Sequence, residues 1–569
     1  MALSSEAREQ QAERELGQTE IRGRVARALV ALFLLSLLPV AAIQLAQRPP
    51  DVSPLFAGVP SACTLQRFER ALEDDSIVGG WLRPRLQAAL TAGFGVGNEK
   101  VYPGRDGRLY HRPDVDYVVE AGFLDADALE RRRHGGGPCD EPPQPDPVAA
   151  IGAFADELAG RGIQLVVVPT PVKPVVEPAG LARRDGARTP VQNRSYPAFV
   201  AALAGRGVDV FDPMPHLLAP GSYLATDTHW RPEAVERVAA ALAKRLEASA
   251  GLGEPRASGL TREPRRARHY GDLVLLLNLP SHQSLYAPEE VAPRAVRVDG
   301  APWRPTRGAE VLLLGDSFSN VYSDAAAFRS ERLGDAFSWG EGAGLAEQLS
   351  FSLGRPVDRI VRNAGGASAA RVDLARETAR EAAAGRDRLA GVRVVVWQFA
   401  VRELSQGDWR APALAPPPAA APPARAEEPA ARAADASART LDVVATVAAA
   451  AAAPAPRSVP YRDALIALHL RGVAPAPGAA ASDAPPPELL AYVFGLRDDA
   501  ATPLSRLAPG ARVRLRLAPF DGERVQQRVG SLNRVELDDL ELLALPAYFG
   551  EPADPAPEAT REPARRTQR

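Results

Sequence analysis

The chain has 569 residues, and its 68 lysine and arginine residues against 70 aspartate and glutamate residues leave a formal net charge of -2 at pH 7. This length predicts several domains, since one domain has roughly 100–200 residues. The balanced charge argues against a dedicated nucleic-acid binder, which would carry a basic excess. The two cysteines of the sequence, Cys63 and Cys139, exclude a disulfide-dense scaffold and a cysteine-rich zinc site.

An apolar, uncharged segment at 28–45 has about the length needed to cross a hydrocarbon core of ~30 Å. Arginines at 22–27 precede it, and the positive-inside rule then keeps 1–27 in the cytoplasm. We therefore predict a single-pass, uncleaved signal anchor in a bacterial inner membrane, with the rest of the chain in the periplasm; a cleaved signal peptide is the alternative. In that oxidising compartment Cys63 and Cys139 could form a disulfide, which the sequence does not decide.

A stem and a helical lead-in are predicted for 46–100, followed by a hairpin at 101–111. From there, predicted strands alternate with predicted helices. Continuous apolar runs predict buried strands at 162–171, 208–212, 311–314 and 392–400, and helical spacing predicts helices at 148–160, 195–204 and 232–249. This alternation predicts an α/β domain over 101–409 that is built on a doubly wound parallel sheet.

Proline-rich sequence follows this domain. We expect an Ala/Pro-rich linker at 410–439 and a charged, proline-rich, disordered tail at 551–569. Between them, 440–550 is predicted to form a small β-rich domain, because strand-like stretches recur there, namely LDVVATVAAA, DALIALHLRGV, ELLAYVFGLRD and ARVRLRLAPF.

One histidine stands out by its neighbours. His229 lies in ATDTHWRPEA, a loop with a carboxylate two residues away and a predicted helix directly after it. Side chains two apart in an extended segment point the same way, so Asp227 can accept a hydrogen bond from the imidazole and fix the tautomer of a general base. Such a loop lies at the sheet edge where open α/β sheets bind ligands.

A second motif, GDSFS, follows the apolar run VLLL. The strand delivers Gly315 at its carboxyl end, and Ser317 follows at the turn into the next helix, where free backbone N–H groups can hold an oxyanion. Serine needs a base to act as a nucleophile at neutral pH, and His229 is the candidate.

Each motif alone has an ordinary explanation. GDS after a strand is about as often a capped turn, and Asp-x-His is more often a surface loop. Together, on one predicted sheet edge, they favour a triad of Asp227, His229 and Ser317. The other six histidines lack a carboxylate at useful spacing, and we expect them to be structural or solvated.

TDTHW and LLLGDSFSN, with Asp, His and Ser in that order along the chain, resemble the SGNH-hydrolase-like polysaccharide O-acetyltransferases, a family that includes the alginate O-acetylation proteins AlgJ and AlgX. Ordinary SGNH hydrolases place the serine first, so this order is the permuted one typical of that family. VYPGRDGRLYH, GIQLVVVPTPVKPVVEP and VVVWQFAVRELSQGDW are also similar to family sequences, and PYRDALIALHL looks like a C-terminal element of some members. Gln398 departs from the pattern, since a glutamate is expected there; we attach no catalytic consequence to it.

The resemblance implies an SGNH-like (flavodoxin-like) fold and a two-step acetyl transfer through an acyl-enzyme at Ser317. Oxyanion or substrate contacts are expected from Gly315, Asn363 and Arg402, although NAGG around Asn363 is equally a plain turn and Arg402 is equally a salt-bridge partner. No metal or soluble cofactor is implied. Because acetyl-CoA is cytoplasmic, a partner membrane-bound O-acyltransferase would pass acetyl groups outward, and the anchor would keep this enzyme beside it.

Two other functions stay open at the level of the sequence. One is a carbohydrate acetylesterase with the same triad, in which water replaces the sugar hydroxyl as the acceptor. The other is a non-catalytic polysaccharide-binding scaffold, in which the β-rich domain grips the polymer. The resemblance favours transfer to an exported polysaccharide. The near-neutral charge gives no support to a strongly anionic polymer in particular.

Overall fold

The structure is a computed structural model that describes residues 23–47, 52–56, 59–74, 76–137, 141–181, 190–252, 259–325, 328–330, 333, 338–410, 412–418, 440–477, 485–530, 532–537, 539, 542 and 545–553. The chain divides into two compact units, Met1–Arg83 and Pro84–Arg569. The second unit contains both an α/β domain and a C-terminal β-rich domain, each with its own hydrophobic core.

Helices make up the N-terminal part of the described chain: α1 (Gly23–Gln47), α2 (Ser53–Phe56), α3 (Ala62–Asp74) and α4 (Ile77–Phe94). The predicted anchor at 28–45 lies within α1. Among the described residues, no helix combines the length and the apolar character that crossing a membrane requires, so the anchor stays a prediction. Cys63, in α3, is disulfide-bonded, whereas Cys139 and residues 1–22 lie outside the described residues.

A five-stranded parallel sheet forms the centre of the α/β domain. The strands of this domain are β1 (Val101–Pro103), β2 (Leu109–His111), β3 (Gln164–Thr170), β4 (Asp209–Val210), β5 (Leu260–Pro264), β6 (Ala267–His269), β7 (Glu289–Val291), β8 (Arg294–Val298), β9 (Ala301–Pro302), β10 (Val311–Gly315), β11 (Asp358–Val361) and β12 (Val394–Ala400). The central sheet has the order β11-β10-β12-β3-β4, and every neighbouring pair is parallel.

This strand order is that of a doubly wound sheet, as the sequence predicts. The chain runs outward from β3 to β4 toward one edge and from β10 to β11 toward the other. Almost every residue of β3, β10 and β12 is buried, because their apolar side chains face both sides of a sheet that is covered on both faces.

Helices connect these strands: α5 (Arg112–Val119), α6 (Ala126–Arg133), α7 (Pro147–Ala159), α8 (Lys173–Val176), α9 (Tyr196–Gly205), α10 (Pro232–Ser249), α11 (Asp272–Leu276), α12 (Ser317–Asn320), α13 (Leu345–Leu353), α14 (Ser368–Ala383) and α15 (Glu403–Gln406). The predicted helices form as α7, α9 and α10, and the predicted hairpin forms as β1 and β2. The sequence analysis did not predict β5–β9, β11, α13 or α14. Those strands are short and partly polar, and α14 buries charged residues such as Arg371 and Asp373, which hides its apolar periodicity.

Within its described residues, the C-terminal domain contains seven strands and one α-helix: β13 (Leu441–Ala450), β14 (Ala464–Pro475), β15 (Glu488–Arg497), β16 (Ala500–Ala501), β17 (Arg512–Pro519), α16 (Glu523–Val529), β18 (Asn533–Val535) and β19 (Ala547–Pro552). The four strand-like stretches of the sequence form β13, β14, β15 and β17. Together with β19, these strands pair around a closed ring. Most of the predicted linker at 410–439 and of the predicted tail at 551–569 lies outside the described residues.

Buried ion pairs join the C-terminal domain to the α/β domain. Arg362, just after β11, lies 2.9 Å from Asp373 and 3.1 Å from Glu536, and Arg534 lies 2.7 Å from Asp373. Arg376 lies 3.3 Å from Glu536. Burial disfavours the charged forms of the two carboxyls, but the surrounding arginines outweigh it and hold the pKa of both below its usual value. The junction between the domains is therefore a network of mutually compensated charges.

Removing the charge of Glu536 should weaken this junction. We expect Glu536→Gln to lower the free energy of unfolding by about 3 kcal/mol, because Arg362 and Arg376 each lose a buried anionic partner. Urea unfolding followed by circular dichroism measures the loss. The matched control is Glu551→Gln, since Glu551 pairs with Arg528 at the surface and an exposed pair contributes about 0–1 kcal/mol. Equal losses in the two variants would contradict a structural role for the buried network.

Candidate active site

The loop that carries Asp227 and His229 is closed by an isolated bridge between Tyr223 and Trp230. Within it, Nδ1 of His229 lies 2.6 Å from Oδ1 of Asp227, and the backbone N–H of His229 donates to the same oxygen at 2.9 Å. Both side chains are buried. Because the carboxylate can only accept, Nδ1 carries the proton of the neutral ring and Nε2 is the unprotonated nitrogen.

The second carboxylate oxygen of Asp227 also has its own partners. Oδ2 accepts hydrogen bonds from the indole N–H of Trp339 and from the backbone N–H of Asp272, each at 2.9 Å. Burial by itself would raise the pKa of Asp227, but the charge and the hydrogen bonds of His229 outweigh it and hold that pKa well below its usual range. Asp227 is therefore a fixed anion beside the imidazole.

Ser317 lies at the turn between β10 and α12. Asp316 caps α12 by accepting a hydrogen bond from the backbone N–H of Phe318 at 2.9 Å, and its other oxygen accepts from the backbone N–H of Ala400 at 2.8 Å. The Ser317 hydroxyl lies 2.9 Å from Nε2 of His229, the nitrogen that can accept its proton. The structure thus brings together the three side chains that the sequence analysis grouped as a triad.

Gln398, on β12, holds the turn that carries the serine. Its Oε1 accepts hydrogen bonds from the backbone N–H of Asp316 at 3.2 Å and from the hydroxyl of Ser319 at 2.6 Å, while its Nε2 donates to the hydroxyl of Thr170 at 3.0 Å. An ionised glutamate, which the family pattern leads us to expect here, could not donate that last hydrogen bond. Gln398 therefore satisfies three buried polar groups without adding a charge.

Opposing effects set the pKa of His229. Burial lowers it by disfavouring the charged ring, but the charge and hydrogen bond of Asp227 and the charge of Asp272 together outweigh burial. The resulting pKa is above the usual 6.5. A proton taken from Ser317 is therefore stabilised on the ring.

A cavity of about 440 Å³ opens onto these side chains. Its volume lies within the range of small-molecule sites, roughly 300–1,000 Å³. Residues of both domains line it: from the α/β domain, besides the three side chains above, His111, His269, Asn363 and Arg402, and from the C-terminal domain Ser458, Val459, Pro460, Tyr461 and Asn533.

The three residues expected to hold an oxyanion or substrate differ in their surroundings. Asn363 lines the cavity, and its Nδ2 is buried without a hydrogen-bond partner in the part of the chain that the structure describes. Arg402 also lines the cavity but donates to Asp114 at 2.9 Å, which gives its charge a structural partner. Gly315 does not line the cavity as far as the chain is described; a Cβ there would collide with Ser319, so this glycine has a packing role.

Two titratable residues, one buried and one half-buried, support the Asp-x-His loop, and neither was among the predicted site residues. The ammonium group of Lys173 donates to the carbonyl oxygens of Leu109 and Ala225 at 2.7 and 3.1 Å, and burial lowers its pKa to about 7. Asp272 accepts from the backbone N–H and the hydroxyl of Thr228 at 2.8 and 2.5 Å. The one sequence signal for Lys173 is the stretch GIQLVVVPTPVKPVVEP, which contains it and is similar to family sequences.

His269 is a second histidine in the cavity, where the sequence led us to expect a structural or solvated residue. Its Nδ1 accepts from the backbone N–H of Gly271 at 2.8 Å, so Nε2 carries the proton, and that atom is buried without a partner among the described residues. Burial lowers the pKa of His269 to about 4 and keeps the ring neutral near pH 7. Gly271 is required at this turn, because its φ is 90° and a Cβ would collide with the carbonyl oxygen of Thr226.

Asp227, His229 and Asp272 place ligand-type atoms within 4.8 Å of one another. A cation would need carboxylate oxygens that are available for coordination. Here both oxygens of Asp227 accept from N–H groups, and both oxygens of Asp272 accept from Thr228. The donor set therefore suits the orientation of an imidazole better than it suits a metal.

The chain is similar in sequence to proteins of a known family. Residues 130–401 match the family described as SGNH hydrolase-like domain, acetyltransferase AlgX. The chain is 28% identical to the probable alginate O-acetylase AlgJ of Pseudomonas aeruginosa over 292 residues. The aligned region covers 48% of this chain and 71% of that protein. The chain is also 32% identical to the probable alginate O-acetylase AlgJ of Pseudomonas fluorescens over 149 residues. That aligned region covers 25% of this chain and 37% of that protein.

Solved structures are also similar to this chain. The O-acetyltransferase domain of Pseudomonas putida AlgJ aligns with a TM-score of 0.38 and 22% identity, over 54% of this chain and 92% of that one. Pseudomonas aeruginosa AlgX aligns with a TM-score of 0.36 and 18% identity, over 54% of this chain and 67% of that one.

His229 and His269 should titrate far apart. We expect His229 to have its midpoint above pH 6.5, since Asp227 stabilises the charged ring, and His269 to have its midpoint at about pH 4. In Asp227→Asn the His229 midpoint should fall, because the nearest anion is lost and only the charge of Asp272 then acts against burial. NMR titration of ¹³C-labelled histidines measures all three values. A wild-type His229 midpoint at or below 6.5 would show that the carboxylate does not control the ring.

Proposed function

Residues 130–401 belong to the family of AlgX- and AlgJ-like SGNH hydrolase-like domains, and from that premise we propose that this protein is an O-acetyltransferase acting on hydroxyls of an exported polysaccharide. The observation that carries the proposal is the unbroken hydrogen-bonded chain from Asp227 through His229 to Ser317, at 2.6 and 2.9 Å. A serine within reach of a base, and a base oriented by a fixed anion, are what nucleophilic acyl transfer requires.

In the first half-reaction the Ser317 oxygen attacks the carbonyl carbon of an acetyl donor, and the hydroxyl proton moves to Nε2 of His229. The bond between the carbonyl carbon and the leaving group then breaks, and the leaving group takes the proton from His229. We assign the Ser317 backbone N–H and Nδ2 of Asn363 to the oxyanion, since Nδ2 is a buried donor that lacks a partner among the described residues. One such donor contributes about 3–4 kcal/mol.

In the second half-reaction a sugar hydroxyl attacks the acetyl group on Ser317. The hydroxyl gives its proton to His229, the ester bond to the serine breaks, and the serine oxygen recovers the proton. The raised pKa of His229 suits both proton transfers, to the ring and from it, because the ring holds the proton until the leaving oxygen takes it.

The proposal also covers the acetyl donor, the partner protein and the cellular location. We propose that a membrane-bound O-acyltransferase supplies the acetyl group outside the cytoplasm, so that no soluble cofactor is needed here. The uncharged segment at 28–45, with arginines before it, supports an inner-membrane anchor that keeps the domain in the periplasm beside that partner. Since the two relatives are named as probable alginate O-acetylases, alginate is one candidate polymer.

Ser317→Ala tests the nucleophile. With 4-nitrophenyl acetate as the donor, we expect nitrophenol release to fall at least about 10³-fold, since removing the nucleophile abolishes the acyl-enzyme. A trapped acetyl group on the Ser317 peptide, found by mass spectrometry of the wild type, should be lost as well. Ser281→Ala, at an exposed serine, is the matched control and should match the wild type. Equal release by Ser317→Ala and the wild type would remove the basis of the proposal.

The acceptor separates a transferase from an esterase. We expect the wild type, given 4-nitrophenyl acetate and oligosaccharides from deacetylated alginate or from cellulose, to form acetylated oligosaccharide in proportion to acceptor concentration, because a bound hydroxyl outcompetes water. Mass spectrometry of the sugars measures the product. Free acetate alone, independent of either acceptor, would favour the carbohydrate acetylesterase.

A further inference from the structure

The C-terminal domain forms one wall of the cavity above Ser317. Its segment at 458–461 and Asn533, at the start of β18, line the cavity. The segment is tied to the α/β domain, since the ammonium group of Lys100 donates to the carbonyl oxygen of Ser458 at 2.5 Å. The β-rich domain is therefore part of the space in which substrates meet the serine.

Asn533 is the residue of this wall with an unused polar atom. Its side chain is 4% exposed, and Oδ1 is buried without a hydrogen-bond partner in the described chain. The residue is held by the parallel pairing of β18 with β14, in which it lies opposite Ala464. An unpaired buried carbonyl oxygen is unfavourable, and a hydroxyl donor from a bound molecule would satisfy it.

The ion network at the domain junction fixes Asn533 relative to Asn363. Arg362 and Arg534 are the direct chain neighbours of these two asparagines, and the guanidinium of Arg362 donates to the carbonyl oxygen of Arg534 at 3.0 Å. Both arginines also pair with Asp373, at 2.9 and 2.7 Å. One cluster thus holds two asparagines beside a single cavity, one from each domain, each with an amide atom that lacks a partner among the described residues.

We infer that Asn533 is a specificity-determining residue that accepts a hydrogen bond from a hydroxyl of the sugar acceptor; the inference rests on the proposed function. The donor half-reaction needs the triad and an oxyanion donor, all from the α/β domain. The acceptor must approach the acetyl group on Ser317 through the remaining space, one wall of which is the C-terminal domain. A hydroxyl-rich sugar unit matches the buried amide oxygen, which can accept a hydrogen bond and cannot donate one.

Partition of the acyl-enzyme between water and sugar tests this role. The full chain is given 4-nitrophenyl acetate with oligosaccharides from deacetylated alginate or from cellulose, and the ratio of acetylated sugar to free acetate is measured. Because both products arise from the same acyl-enzyme, the ratio cancels any change in its formation. We expect Asn533→Leu, of similar size, to lower the ratio about tenfold, the effect of losing one hydrogen bond. Arg471→Leu, at an exposed arginine of the same domain, should keep the wild-type ratio.

The possible results distinguish the inference about Asn533 from the proposed function. A ratio for Asn533→Leu within twofold of the wild type, when the wild type does acetylate sugar, would overturn the inference and leave the proposed function standing. Failure of the wild type to acetylate either sugar, with acetate release that still depends on Ser317, would overturn the transferase proposal and this inference with it. If Asn533→Leu does not fold, Asn533→Ser, which adds no bulk and is too short to reach the same point, carries the same expected loss.

Discussion

The buried carboxylate of Asp227 is the constraint around which the site is built. A buried anion is costly unless its oxygens are hydrogen-bonded, and here four N–H groups serve them: two from His229, one from Asp272 and one from Trp339. These donors come from three separate loops. The position of the imidazole, and through it the approach to Ser317, therefore depends on loops that must all be folded before the carboxylate is satisfied.

The serine side is built on a different principle. Ser317 needs a turn of fixed shape, and the buried polar groups around it are satisfied by a neutral amide, that of Gln398, rather than by a second anion. An ionised glutamate at this point would add a second negative charge close to that of Asp316. Gln398 thus supports the serine turn without adding a negative charge to a site that already holds Asp227, Asp272 and Asp316.

The second domain belongs to the same physical unit as the first. Removing it would take Glu536 away from Arg362 and Arg376, which would then share the single carboxylate of Asp373. The same junction sets the distance between two polar walls of the cavity, one on each domain. The junction that stabilises the domains therefore also positions Asn363 and Asn533, because the arginines that join the domains are their chain neighbours.

The sequence by itself determined the parts that depend on neighbouring residues. Continuous runs of valine and leucine are enough to identify β3, β10 and β12, since a strand buried on both faces shows no alternation, and Asp-x-His and GDSFS are local geometries. Tertiary structure alone decided that Trp339, Lys173 and Asn533 face or support the site, that Arg402 is paired with Asp114, and that Gly315 serves packing. The spacing of neighbouring residues does not reveal such contacts. Each contact joins residues far apart in the chain or depends on the volume that a neighbour leaves empty.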